Sequence, residues 1–125
     1  MITSTADQTQ QPCYVILPRG YEKSNKVDRI PLLISLHSWS AGLEQAKPEL
    51  EKQAAKLGWI YVFPHFRGPN QTPAACGSEL AQQDILDAVV WAKQNYRIDH
   101  SRIYLTGASG GGHMTMLMVS RHPAI

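Results

Sequence analysis

The sequence predicts an α/β chain, a mostly parallel sheet with flanking helices, on three observations. Four short apolar runs recur: 13–18 (CYVILP), 30–37 (IPLLISLH), 59–64 (WIYVFP) and 102–107 (RIYLTG). Stretches with helical periodicity lie between or after them, and a burst of small residues, GASGG at 107–111, joins the last run to a third helical stretch. Strands alternating with helices pack most simply as a parallel sheet with right-handed crossovers.

Each element has its own signal. The first run is β-branched and stopped by Pro18, with Arg19 and Gly20 marking a turn. The second is almost unbroken hydrophobe, as expected of a strand covered on both faces, and the third and fourth repeat that pattern. In KPELEKQAAKLG, Pro48 suits a first helical turn, Leu50, Ala54 and Leu57 recur at helical spacing, and Gly58 is a natural terminator. In SELAQQDILDAVVWAKQNY, Ser78 is an N-cap candidate and Ile85, Val89, Ala92 and Tyr96 form one apolar stripe. On that helix Gln82, Gln83, Lys93 and Gln94 are expected to face water, and Asp84 and Asp87 to be solvated. The third helix should run from about Gly110 to Arg121, with Met114, Leu117 and Met118 inward.

Composition bounds the function. With 43% hydrophobic and 18% charged residues the chain can bury a core, and a net charge of +2 from scattered charges gives nothing organised to follow a phosphate backbone or an anionic membrane. No nucleic-acid or membrane partner is expected. Residues 1–11 are polar, lack the basic head and apolar middle of a secretion signal, and read as a disordered arm before one unit spanning 12–125; the compartment stays open between cytoplasmic and secreted. Cys13 and Cys76 are too few for a disulfide scaffold and read as free thiols. The histidines lack ligand spacing and carboxylate partners, so no metal is expected, and no motif calls for a cofactor.

The chemistry concentrates at GASGG. Gly-x-Ser-x-Gly between a strand and a helix is the pattern that holds a serine hydroxyl exposed on a sharp turn, where a base can reach it. Side chains at Gly107 or Gly111 would crowd such a turn, and the helix that follows aims free N–H groups at a developing oxyanion, Gly110 first. Ser109 is therefore the candidate nucleophile. Gly107 and Gly112 also carry the spacing of a phosphate-binding loop, but His113 and Met114 stand where lysine and a hydroxyl are required. The segment SLHSWSAG follows the central strand, where a second oxyanion donor is supplied. His37 and His65, at strand ends, and Arg67 are either pocket-lining residues or strand-end and turn residues, as is Asn70.

The succession PLLISLHSW, GWIYVFPHFRGPN and DILDAVVWAKQNYRIDHSRIYLTGASGGGHM resembles the α/β-hydrolase superfamily over about residues 13–123. Within it the nearest likeness is to prolyl-oligopeptidase-like serine hydrolases and their esterase relatives, including depolymerase-like, feruloyl and acetyl-xylan esterases. The resemblance implies Ser109 as nucleophile and backbone oxyanion donors at Gly110 and Trp39, although relatives often have His-Gly where this chain has His37 and Ser38. It implies a small-molecule or polymer-attached ester as substrate, with a peptidase, or a non-catalytic binding module on the same scaffold, as alternatives.

In such enzymes an acid and then a histidine follow the serine. After Ser109 the chain reads GGGHMTMLMVSRHPAI, with no acidic residue. His113, one turn along the following helix, and His122, at its far end, suit a structural or solvent-facing role, and His100 belongs to a polar turn. The triad Asp and His are thus expected beyond these residues, on further strands of an incomplete hydrolase domain. The strand at 102–107 would then be an apolar edge, so the isolated chain is expected to be inactive and to be unstable or self-associated.

Overall fold

The four apolar runs become one sheet. The computed structural model describes residues 2–18, 21, 29–37, 48–66, 78–107 and 110–123. Strands β3 (Cys13–Ile16), β4 (Ile30–Leu36), β5 (Ile60–Pro64) and β6 (Ile98–Gly107) lie in the order β3-β5-β4-β6, with β4, β5 and β6 parallel and β3 antiparallel to β5. Helices α1 (Pro48–Leu57), α2 (Glu79–Asn95) and α3 (Gly110–Arg121) flank it.

The unbroken apolar runs resolve into two faces once the pleat is imposed. Ile60 and Val62 join Leu32, Ile34 and Leu36 in a core shared with Ile85, Ala88, Val89 and Ala92 of α2 and Met114 and Met118 of α3. Tyr61 and Phe63 point the other way, packing with Leu33, Leu50 and Ala54 under α1. Burying one such side chain stabilises by about 1.5–3 kcal/mol, so the β4–β5 pair is where the fold gains most.

Local signals act as expected at several points. The Ser78 hydroxyl accepts from Ala81 N–H at 3.1 Å and caps α2, and Gly58 ends α1 with φ +77°, a conformation open to glycine. Cys13 is a free thiol whose pKa burial pushes up to about 11; Cys76 lies outside the described residues. The polar turn at 99–102 proves to be an irregularity within β6. Ile98 pairs with Ile30 and Ile103 with Leu32, so the intervening residues bulge, and Asp99 holds the bulge through Ser101 and Arg102.

Other expectations are corrected. In place of a disordered arm, residues 2–11 form a hairpin of β1 (Ile2–Thr3) and β2 (Gln10–Gln11), with Ile2 and Ser4 buried. Asp84 and Asp87 are buried rather than solvated, and so is Gln82, because α2 is covered by the hairpin and by the end of α3 as well as by the sheet. Leu57, in the last turn of α1, is exposed despite its helical spacing and stands outside the cluster that Leu50 and Ala54 join. Among the described residues β3 and β6 are the two edges of the sheet, β6 on its parallel side, and no helix is long and apolar enough to cross a membrane.

Candidate active site

Three parallel strands end on one side of the sheet, and the residues that end them meet there. β4 runs into His37, β5 into His65 and Phe66, and β6 into Gly107. Strand β6 and helix α3 are joined through residues 108 and 109 alone. A connection of two residues requires close approach of its flanks. An added Cβ at Gly107 would lie 2.9 Å from Gly111 Cα and nearer still to its carbonyl, and one at Gly111 would lie 3.0 Å from His37 O and would collide with Leu36 O. The first turn of α3 therefore sits directly on the end of β4, which only glycine at both positions permits. The N-terminus of α3, the positive end of its helix dipole, therefore lies at the carboxyl end of β4.

His37 does not line an open cleft. It is 2% exposed, its Nε2–H donates to His65 C=O at 2.6 Å, and its ring stacks on Phe66 with centroids 4.0 Å apart and planes 2° from parallel. Because a carbonyl can only accept, the proton is on Nε2. Phe66 has φ +30°, left-handed backbone that a bulky side chain rarely adopts. Such strain costs about 1–3 kcal/mol and persists where the surroundings over-determine it. Phe66 escaped the sequence reading; its one signal is a large aromatic placed just after a strand-ending proline.

Of the other candidates, His113 is exposed on α3, and His122 Nε2 donates to Gln82 Oε1 at 3.1 Å, tying the end of α3 to α2. His100 is exposed in the β6 bulge. Ser109, Trp39, Arg67 and Asn70 lie outside the described residues. Among the described residues no group of three or more His, Cys, Asp or Glu could hold a metal ion. What the described part offers is a rigid floor of strand ends and a seated helix N-terminus, a geometry that can stabilise negative charge developing on an acyl oxygen.

The BD-FAE family model matches residues 20–123. A bifunctional acetylxylan esterase/xylanase, XynS20E, from Neocallimastix patriciarum is 31% identical over 105 residues, which is 81% of this chain and 15% of that protein. Among solved structures, Est1E from Butyrivibrio proteoclasticus with bound ferulic acid superposes with a TM-score of 0.71 at 20% identity, over 100% of this chain and 49% of its own. The acylaminoacyl peptidase of Pyrococcus horikoshii gives 0.69 at 24% identity, over 89% of this chain and 19% of its own. The chain thus spans half or less of the length of these relatives.

Proposed function

The chain belongs to the BD-FAE family of the α/β-hydrolase superfamily, and from that premise we propose that the protein carrying it hydrolyses carboxylic esters, with Ser109 as nucleophile. Ser109 attacks the acyl carbonyl, the oxyanion rests on backbone N–H groups of Gly110 and Trp39, the alcohol leaves, and water releases the acid from the acyl-enzyme. The observation that carries this reading is the close approach of Gly107 to Gly111 and of Gly111 to the end of β4, which leaves no room for a Cβ at either glycine. It brings the strand and helix on either side of Ser109 as close as a strained turn needs.

The general base and its acid partner are assigned to no residue here. His113 is exposed and His122 is engaged with Gln82, and the superfamily order of serine, acid and then histidine supports assigning both roles to sequence outside these 125 residues. Without them a serine hydrolase keeps only the contribution of its oxyanion hole and binding, several orders of magnitude lower. An ester is preferred to an amide because the 31%-identical relative is named for acetylxylan esterase activity; a polymer-attached acetyl or feruloyl ester is the substrate class to try first. The test is a fluorophosphonate probe on the complete protein. Labelling is expected at Ser109 and absent in Ser109→Ala; an unlabelled wild type rejects the mechanism, and a binding module would then be the reading left.

A further inference from the structure

A short polar hairpin at a chain terminus is marginal by itself and needs an anchor. Here the anchor is Asp87, in the middle of α2 and 7% exposed. Its carboxylate accepts from Thr5 N–H at 2.7 Å, from the Thr5 hydroxyl at 2.9 Å and from Gln83 Nε2 at 2.9 Å. A carboxylate this buried is expensive unless its hydrogen bonds are made, so hairpin and helix depend on each other. The hairpin is further closed by Ser4 N–H to Thr9 O and Gln8 N–H to Ser4 O, both 2.8 Å.

From its second strand the chain passes through Pro12 into β3, whose first residue pairs with the last of β5, so the hairpin leads directly into the candidate active site's end of the sheet. Pro12 C=O accepts from His65 N–H at 3.0 Å, and His65 C=O accepts from the His37 ring at 2.6 Å. Both polar groups of the His65 backbone are therefore taken, one by the hairpin side and one by the end of β4. Ile2 is buried in the main core, to which Phe66 also belongs, and the left-handed backbone of Phe66 needs constraint from its neighbours.

We propose that the N-terminal hairpin is a brace for the active site: Asp87 locks it to α2, and through Pro12, His65 and Phe66 it fixes the His37 ring at the end of β4. Asp87 and Thr5 are then positioning residues. This rests on the ester-hydrolase reading only for its effect on turnover; its effect on His37 is independent of any chemistry.

The experiment compares Asp87→Ala, Thr5→Val and Asp87→Asn in the complete protein. Asn keeps an acceptor for Thr5 in the same space. The first readout is the His37 ring N–H proton by NMR, which burial and the bond to His65 should protect from exchange. In Asp87→Ala and in the milder Thr5→Val that protection is expected to fall by at least 10-fold while far-ultraviolet dichroism is unchanged, and Asp87→Asn is expected to restore it. The second readout is ester turnover, expected to lose about 10–100-fold in kcat with KM within about twofold, the size of effect that follows a misplaced catalytic group. Unchanged protection of His37 in Thr5→Val would overturn the brace, as would loss of activity only in proportion to the unfolded fraction. A protein with no Ser109 labelling but with the NMR effect intact would reject the ester reading and leave the brace standing.

Discussion

Strands β5 and β6 come from the same kind of apolar run and live in different surroundings. β5 has a neighbour on each side, and every one of its residues is buried. Among the described residues β6 is paired on one side only, and Tyr104 in its middle is 43% exposed, its ring stacked on Trp59 at 5.2 Å. Beside it α3 turns Met116 and Val119 outward, 71% and 58% exposed. An apolar run therefore announces that a strand can be buried on both faces, while burial itself depends on which neighbours are present. The candidate active site straddles the two regimes, with a rigid floor at the ends of β4 and β5 and a third wall, Gly107, delivered by the open strand.

The sharpest way to break this comparison is to shorten one aromatic on each strand. Phe63→Ala empties a fully buried position and should cost about 3–5 kcal/mol. Tyr104→Ala removes a half-exposed ring and should cost about 1 kcal/mol or less, chiefly its stacking on Trp59. Urea unfolding followed by dichroism measures both. Equal losses would mean that β6 is covered in solution, for instance by self-association, and sedimentation of the two variants would then separate the cases.

A second, smaller effect tests the seat of the helix. In Gly111→Ala the new methyl meets Leu36 O, a backbone atom that cannot rotate away, so strand and helix must part. Overpacking of this kind typically costs about 1–3 kcal/mol. Labelling of Ser109 should fall much further than stability does, because Gly110, the proposed oxyanion donor on α3, moves with the helix. A folded Gly111→Ala protein labelled at the wild-type rate would show that the close approach is incidental.

Where the sequence was legible, the cause was local. Ser78 caps α2 from within its own first turn, and α3 occupies Gly110–Arg121 because glycine and periodicity mark its ends. The pair Gly107 and Gly111 could be singled out because crowding at a strand-to-helix turn involves near neighbours. The hairpin was illegible because its anchor is remote: Thr5 and Asp87 lie 82 residues apart, and Asp87 by itself looks like any acidic residue on a helix surface. Gln82 was misread in the same way, its burial depending on His122 at the far end of another helix. Phe66 is a third kind of case, since its left-handed backbone is imposed by packing that no propensity encodes.

The smallest effect sits at the other end of β6, in the bulge that lets a strand with polar residues at 99–102 still deliver Gly107 in register. The Ser101 hydroxyl, 2.6 Å from Asp99, and then the Arg102 guanidinium, 2.7 Å away, lower the Asp99 pKa from 3.8 to about 2. The folded state therefore prefers the charged carboxylate. Its contribution is complete above about pH 4 and disappears as pH falls through about 2. The carboxylate is open to solvent, so the contribution is slight and weakens with salt. Asp99→Asn should flatten the acid limb of the stability profile between those values while leaving neutral stability nearly unchanged, and the Asp99 carboxyl carbon should titrate near pH 2 by NMR. Parallel profiles for the two proteins, or an ordinary titration midpoint, would mean that the bulge is held by the pairing of Ile98 and Ile103 alone. The open strand would then owe its register to β4 entirely, and the contrast with β5 would sharpen.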